Sequence, residues 1–265
     1  MGHVKQDLNA IEGVVSAARH IVALSGAGMS QDSGLPVYRG ASNGLWNQTV
    51  MQDVATAKAL HTHPHKVWNW LEELAASIRQ AQPNAGHRAL AQMEQHCKVS
   101  VFTQNVDDLH ERAGSTSVTH LHGSVFHYRC TVCARPFVPS SAPNLHAVPW
   151  ASIRECEHCS GPIRHDVVLF DEALRTEHVA RARSAIKECD VVLVIGTSNT
   201  IYPAADLPRY ALKRHKYVVE INPRDTAISG WVAFRINACA AQALPAVVDR
   251  TWGISEDAWH TGRKV

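Results

Sequence analysis

Short apolar runs recur along the chain, each closed by glycine or by polar side chains, and they alternate with stretches of helical period. The runs at residues 20–25, 98–103, 118–121, 190–195 and 216–221 predict strands. Residues 83–95 and 174–188 carry the helical periodicity of an element with one buried face. This alternation predicts an α/β fold, a Rossmann-like parallel sheet with helices on both faces. Ligands bind such sheets beyond the carboxyl ends of the strands. Here the five runs lead into Gly26-Ala27-Gly28, Gln104-Asn105-Val106-Asp107, His122-Gly123, Gly196-Thr197-Ser198 and Asn222-Pro223. Five endings of that kind at one edge predict a site.

Two stretches depart from the alternation. Residues 40–82 look helical and hold Trp46, Trp68 and Trp70, with no strong strand. Residues 124–165 hold four cysteines, several prolines and little periodicity. Both read as insertions over the sheet edge. The expected organisation is a Rossmann-like domain of residues 1–40, 83–123 and 166–265. A small domain is then made of a helical insertion, 41–82, and a zinc ribbon, 124–165.

Composition narrows the classes. The 265 residues are 45% hydrophobic and 19% charged, enough apolar material for a real core. With a formal net charge of +2 and no cluster of Lys and Arg, no nucleic-acid partner is expected. The longest apolar run, residues 191–195, is far below a membrane span, so no membrane partner is expected either. Residues 1–6 lack the apolar core of a secretory signal, and with seven cysteines this predicts a reducing, cytoplasmic setting. Most of the seventeen histidines read as surface or capping residues, and only His122 is singled out.

Glycines just after a strand let the backbone approach a pyrophosphate, and exposed amides there bind its oxygens. Gly26-Ala27-Gly28-Met29-Ser30 fits that role, although Gln31 stands where a G-x-G-x-x-G motif has its third glycine. Taken alone, the segment also reads as an ordinary tight turn. Gly196-Thr197-Ser198 offers a second phosphate or ribose loop, and Asn222 a ribose hydrogen bond. Cys130-x-x-Cys133 and Cys156-x-x-Cys159, separated by the 22 residues 134–155, predict one structural Zn²⁺ in a closed tetrahedral site. Packing thiols or a pair of disulfides are the alternative. Cys97, Cys189 and Cys239 read as buried small hydrophobes.

The stretch Gly26-Ala27-Gly28-x-Ser30-x-x-Ser33-Gly34-x-Pro36-x-x-Arg39-Gly40 resembles the signature of the sirtuins. So do Thr103-Gln104-Asn105-Val106-Asp107-x-Leu109-His110-x-Arg112-Ala113-Gly114, His122-Gly123, Gly196-Thr197-Ser198 with Pro203-Ala204, and Ile221-Asn222. The resemblance runs from about residue 10 to 250 and implies an NAD-dependent protein-lysine deacylase. It implies that the substrate's acyl oxygen attacks C1′ of the nicotinamide ribose and expels nicotinamide. His122 then deprotonates a ribose hydroxyl, which attacks the resulting imidate carbon, giving free lysine and O-acyl-ADP-ribose. Asn105 orients the ribose and a water, with Gln104 beside it, and Asp107 holds the carboxamide. Arg39 steadies the pyrophosphate-side loop, Tyr38 stands where the family commonly shields the reacting carbon with Phe, and Ser198, Asn222 and backbone near Ala240 take the adenosine half. Sirtuins also carry a zinc ribbon here. The partner is an acylated lysine in a protein, and the enzyme is expected to act as a monomer.

Val168-Leu169-Phe170-Asp171-Glu172 resembles the strand that pairs with substrate peptide, with Asp171 where glycine is usual. Its side chain is expected to narrow the groove and its charge to favour basic flanking residues. Asp53-Val54-Ala55-Thr56 and Pro83-Asn84-Ala85-Gly86-His87 resemble the branch that includes desuccinylases, which reads an acidic acyl chain with Tyr and Arg three residues apart. Leu71 and Leu74 occupy those two positions. A carboxylate against two leucines has no partner, at a cost of several kcal/mol, so acetyl or longer apolar acyl groups are expected over succinyl and malonyl. The two leucines merely packing the helix is the alternative. A mono-ADP-ribosyltransferase, an NAD glycohydrolase or a non-catalytic NAD sensor are competing functions for one pocket. A hydride-transferring dehydrogenase is disfavoured, because the glycine spacing is wrong and the zinc ribbon has no role in it.

Overall fold

The computed structural model describes residues 2–37, 53–138 and 155–255. Tyr38, Arg39, Trp46 and most of the linker between the two cysteine pairs lie outside the described residues. In chain order the elements are α1 (Gly2–Ser16), β1 (His20–Ser25), α2 (Ala57–Thr62), α3 (Pro64–Gln80), α4 (Ala85–Met93) and β2 (Lys98–Thr103). Then follow α5 (Leu109–Arg112), β3 (Val118–His120), β4 (Gly123–Cys130), β5 (Pro136–Phe137), β6 (Ile163–Val167), α6 (Thr176–Glu188) and β7 (Val191–Ile195). The chain closes with α7 (Asp206–Leu212), β8 (Tyr217–Ile221), β9 (Phe234–Ile236) and α8 (Ala240–Trp252).

Six strands pair in parallel in the order β3-β2-β1-β7-β8-β9. Numbered within that sheet, the order is 3-2-1-4-5-6, the doubly wound arrangement whose direction reverses between the first and fourth strands. The central strands β1 and β7 are buried at every residue, as strands covered on both faces must be. Ile21, Ala23, Leu193 and Ile195 face α1, α4 and α8 through Ile11, Leu90, Leu244 and Val248. Val22, Leu24, Val192 and Val194 point the other way, onto Ile186 of α6 and Leu207 of α7. Each such side chain contributes about 1.5–3 kcal/mol on burial, which sets the sheet as the main source of stability.

The aperiodic region between residues 124 and 165 contains a three-stranded antiparallel sheet, β5-β4-β6. Its pairing register shifts between Ser124 and Tyr128, so β4 does not keep the period of two that a sequence reading relies on. Helix α3 lies against this sheet. Its Trp70, Leu71, Leu74 and Ile78, spaced three and four apart, meet Val125, Val167 and Leu169. Helix α8 escaped the sequence reading because Pro245 stands inside it. Strand β9 escaped because three residues carry no period.

Four histidines are buried, one of them, His87, in the capping role expected of such residues and three outside the expected surface or capping roles. His20, His87, His110 and His165 are buried, because each ring has a partner. His20 Nε2 meets Ser100 Oγ at 3.1 Å, His110 Nε2 meets Ser25 Oγ at 2.9 Å, and His165 Nδ1 donates to the Val125 carbonyl at 2.7 Å. His87 Nδ1 accepts from the Asn84 amide at 3.3 Å. Of the remaining cysteines, Cys189 is buried as expected, whereas Cys97 and Cys239 are only partly so.

The loops after β1 and β7 touch backbone to backbone. The Gly28 amide donates to the Gly196 carbonyl at 2.8 Å, and a Cβ built on Gly28 meets Gly196 Cα at 2.7 Å. Gly196 itself has φ +59°, and its Cβ meets Met29 N at 2.5 Å. Gly28→Ala therefore forces the two loops apart. A loss of about 1–3 kcal/mol is expected, measurable as a shift in the urea unfolding midpoint. An unchanged midpoint contradicts the contact.

Candidate dinucleotide site and four-cysteine centre

The reversal point between β1 and β7 opens a crevice, and four of the five strand endings read from the sequence converge there on one hydrogen-bond network. Asn105 Nδ2 donates to the Gly26 carbonyl and to Ser30 Oγ, each at 3.1 Å. Ser30 Oγ donates to Asp107 Oδ2 at 2.9 Å, and the Leu109 amide donates to Asp107 Oδ1 at 3.1 Å. Gln104 Nε2 donates to Thr197 Oγ1 at 3.0 Å, joining the β2 ending to the β7 ending. Asn222 Nδ2 donates to the Thr197 carbonyl at 3.2 Å, bringing in β8, and its Oδ1 accepts from the Arg224 amide. Ser198 Oγ is paired with Thr200 Oγ1 at 2.8 Å. Ala27 is half-buried beside this contact, and Ala240 opens α8 behind it.

Two histidines from the β3 ending clamp consecutive carbonyls of the β2 ending. His120 Nδ1 donates to the Asn105 carbonyl at 3.0 Å, and His122 Nδ1 donates to the Gln104 carbonyl at 2.8 Å. A carbonyl only accepts, so the neutral His122 ring carries its proton on Nδ1 and keeps the Nε2 lone pair free. Burial holds the His122 pKa below 6.5, against the opposing pull of the Gln104 carbonyl. Burial raises the Asp107 carboxyl above its usual range, while the Leu109 and Ser30 hydrogen bonds act in the other direction. In both groups desolvation outweighs the local hydrogen bonds. Gly123 follows His122 for a steric reason: its φ is +77°, and a Cβ there lies 1.9 Å from the Asp166 carbonyl.

The sequence reading missed the clamp on the other side of the β1 loop. Asn84 caps α4, its Oδ1 accepting from the Gly86 and His87 amides, while its Nδ2 donates to the Met29 carbonyl at 2.8 Å and to Ser33 Oγ at 3.0 Å. The signal was present as Asn84 three residues before a side chain able to complete a capping box.

The stretch at 168–172 runs between His122 and the segment before α2. The Val168 amide donates to the His122 carbonyl at 2.8 Å, and the Phe170 amide and carbonyl bond Ala55 and Ala57. Glu172 anchors it, accepting from the Leu169 amide at 2.8 Å and from Arg164. Asp171 has φ +68°, the left-handed backbone that favours glycine and that Asp tolerates better than most residues. Leu71 and Leu74 do not touch the polar network. They lie in an apolar cluster that reaches Val106, between Asn105 and Asp107, and Phe170. Leu71 also lines a cavity of about 230 Å³ with Leu60, Val67, Trp68 and Ile163.

At the far end of β4 the Sγ atoms of Cys130, Cys133, Cys156 and Cys159 all lie within 4.8 Å of one another. Cys130 and Cys159 are 3.5 Å apart, Cys133 and Cys156 3.7 Å. Thiolates about 2.3 Å from a tetrahedral Zn²⁺ lie about 3.8 Å from each other, so these four are positioned to bind one zinc ion. The Cys133 and Val132 amides both point at Cys130 Sγ and lower its pKa to about 6, favouring the thiolate a metal requires. Gly161 leaves the room: a Cβ there meets Val132 Cγ2 at 2.8 Å and Cys130 Sγ at 3.0 Å. By contrast, burial pushes the Cys97 and Cys189 thiols up to about 11, as fits residues that only pack.

A doubly wound sheet with a polar crevice at its reversal point, joined to a four-cysteine ribbon, is the architecture of a dinucleotide-dependent enzyme with a structural metal. Comparison with known proteins places it more closely. Residues 26–203 match the Sir2 family. The chain is 44% identical to the NAD-dependent protein deacylase of Mycolicibacterium paratuberculosis over 234 residues, covering 87% of this chain and 97% of that protein. Among solved structures, a complex of a Sir2 homolog with NAD is 36% identical with a TM-score of 0.81, covering 92% of this chain and 93% of that one. A complex of Sir2 with a p53 peptide and NAD+ is 28% identical with a TM-score of 0.77, covering 91% and 97%. The chain belongs to the Sir2 family, the sirtuins.

Metal analysis of the purified protein is expected to give one zinc per chain. Chelation is expected to lower Tm, with recovery on adding Zn²⁺ and none with Mg²⁺, because thiolates select the softer ion. Chelation without effect on Tm contradicts a structural zinc.

Proposed function

We propose that this chain removes acyl groups from protein lysine at the expense of NAD, with apolar acyl groups favoured. The observation that carries the reading is the His122 ring, fixed through Nδ1 by the Gln104 carbonyl with its Nε2 lone pair left over. Bound NAD supplies an electrophilic ribose carbon, whose bond to nicotinamide breaks as the acyl oxygen attacks. The rest is done by this chain. The Gly26, Gly28 and Gly196 amides are taken by backbone carbonyls, so in the two loops the Ala27, Thr197 and Ser198 amides face the pyrophosphate. The Asp107 carboxylate takes the carboxamide, and Asn105, pinned to Gly26 and Ser30, orients the ribose. His122 Nε2 accepts the proton of a ribose hydroxyl, which is then able to attack the acyl carbon. One water, oriented by Asn105, adds its oxygen as the lysine nitrogen leaves, and free lysine, nicotinamide and O-acyl-ADP-ribose are the products. Arg39 and Tyr38 complete the pocket in this reading, and Asn222, Ser198 and the Ala240 end of α8 face the adenosine half. The division of labour follows the two sheets: the six-stranded one holds NAD, and the smaller helical and zinc-bearing part closes over it.

The relatives support the reading. The Mycolicibacterium protein is an NAD-dependent protein deacylase, and the peptide complex holds p53 peptide and NAD+ together. Val168, Phe170 and Asp171 then face the peptide. The left-handed backbone of Asp171 is one that a glycine also adopts, so the substitution adds a side chain without requiring another backbone conformation. Leu71 and Leu74 reach the acyl chain through the apolar cluster that ends at Val106 and Phe170. Arg164, which lines the cavity beside Leu71, is already held by Glu172 and the Val167 carbonyl.

Nicotinamide release from NAD tests this, run with acetyl-, butyryl-, myristoyl- and succinyl-lysine peptides and without peptide. Release that requires an apolar acyl peptide and drops by about 10²-fold or more in His122→Ala is expected. Release that ignores the peptides moves the assignment to an NAD glycohydrolase or ADP-ribosyltransferase, and strong succinyl removal contradicts the leucine wall. The pH profile has a definite sign. The base acts deprotonated and burial lowers its pKa, so activity falls on acidification with its midpoint below 6.5. A midpoint above 6.5 contradicts the role given to His122.

A further inference from the structure

We propose that His87 is a positioning residue for the nicotinamide end of the site, acting through Ser30 to fix the Asp107 carboxylate. The proposal rests on the dinucleotide reading above and deepens it. His87 lies in the first turn of α4 and is fully buried. The Asn84 amide donates to its Nδ1 at 3.3 Å. A ring nitrogen that accepts carries no proton, so the neutral ring is protonated on Nε2. Burial, with the His110 ring and Arg88 nearby, keeps the His87 pKa well below 6.5 and the ring neutral.

That Nε2–H faces Ser30 Oγ at 3.5 Å, a long contact. Asn105 Nδ2 donates to the same oxygen at 3.1 Å. With donors on both lone pairs, the Ser30 hydroxyl proton has one partner left, Asp107 Oδ2 at 2.9 Å. Asp107 Oδ1 is already engaged by the Leu109 amide at 3.1 Å. The relay therefore runs one way, from the Asn84 backbone through His87 and Ser30 to Asp107, with every donor assigned. It leaves the outer lone pairs of the carboxylate for an amide N–H, which is what a carboxamide presents.

Capping α4 uses only Nδ1. Glu, a usual residue at this position of a capping box, accepts toward the helix end but has no donor for Ser30. The second nitrogen is surplus to the cap and serves the site. Without it, one lone pair of Ser30 is freed, its hydroxyl is able to turn, and Asp107 loses its fixed orientation.

Two isosteric replacements separate the roles. His87→Asn keeps an acceptor near the Nδ1 position and loses the donor to Ser30. His87→Gln places its carboxamide nitrogen near the Nε2 position, keeping the donor to Ser30, while no acceptor remains at the Nδ1 position, so the bond from the Asn84 amide is weakened. Affinities for NAD and for ADP-ribose, which lacks nicotinamide, are read by calorimetry, with Tm and the KM for NAD beside them. In His87→Asn, NAD affinity is expected to weaken about tenfold and KM for NAD to rise about as much, roughly the loss of one buried hydrogen bond. ADP-ribose affinity stays within about twofold and Tm near that of the parent. In His87→Gln the ratio of NAD to ADP-ribose affinity is expected to stay that of the parent while Tm falls. Unchanged NAD affinity in His87→Asn, or equal weakening for both ligands, overturns the proposal, as does loss of the preference in His87→Gln. If the unmodified protein binds neither ligand, the dinucleotide reading itself fails.

Discussion

The contact on which the site depends is the one between Gly28 and Gly196, where two loops leave neighbouring parallel strands at the point of reversal and meet backbone to backbone. No side chain fits between them. Because the gap is closed by main chain, with the Gly28 amide on the Gly196 carbonyl, the residues that follow are delivered to fixed places. Ser30 comes from one loop and Thr197 from the other. Gln104 and Asn222, arriving from the strands on either side, both find Thr197. A shift of either loop by the width of a methyl group disturbs every member of this set.

Around that contact the polar groups are buried and hydrogen-bonded, which is the condition under which they hold their geometry. Ser30 Oγ is the hub, shared by Asn105, Asp107 and His87. His120 and His122 lock the Asn105 and Gln104 carbonyls from above. Desolvation is the largest influence on both His122 and Asp107, lowering the pKa of the imidazole and raising that of the carboxyl. The zinc ribbon stands at the other end of β4 and contributes by holding that strand, whose first residue is the glycine after His122.

Much of this was legible because the strands that build the site are short, apolar and cleanly ended. Residues 20–25 and 98–103 are strands with the bounds read from the sequence, and α3, Pro64–Gln80, lies inside the stretch read as helical. Strands that pack on two faces need apolar residues at every position, and that leaves a plain signal. What stayed hidden had physical reasons. The register shift in β4 erased its period, Pro245 argued against α8, and burial of His87 and His110 depends on partners 57 and 85 residues away. The clamp from Asn84 to the Met29 carbonyl is likewise a long-range bond that no local pattern displays. Leu71 and Leu74 were correctly read as apolar positions on α3, yet their position relative to a substrate is set by Val106 and Phe170, which come from other segments.

The central claim is that the dinucleotide lies across the contact between the two glycine loops, with its nicotinamide toward Asp107. A crystal structure of the protein with NAD and an unreacted peptide tests it most directly. The account predicts pyrophosphate oxygens against the amides of Ala27, Thr197 and Ser198 and the carboxamide on Asp107, with Nε2 of His122 on the ribose side. A nucleotide bound elsewhere, or bound here with its nicotinamide turned away from Asp107, contradicts it.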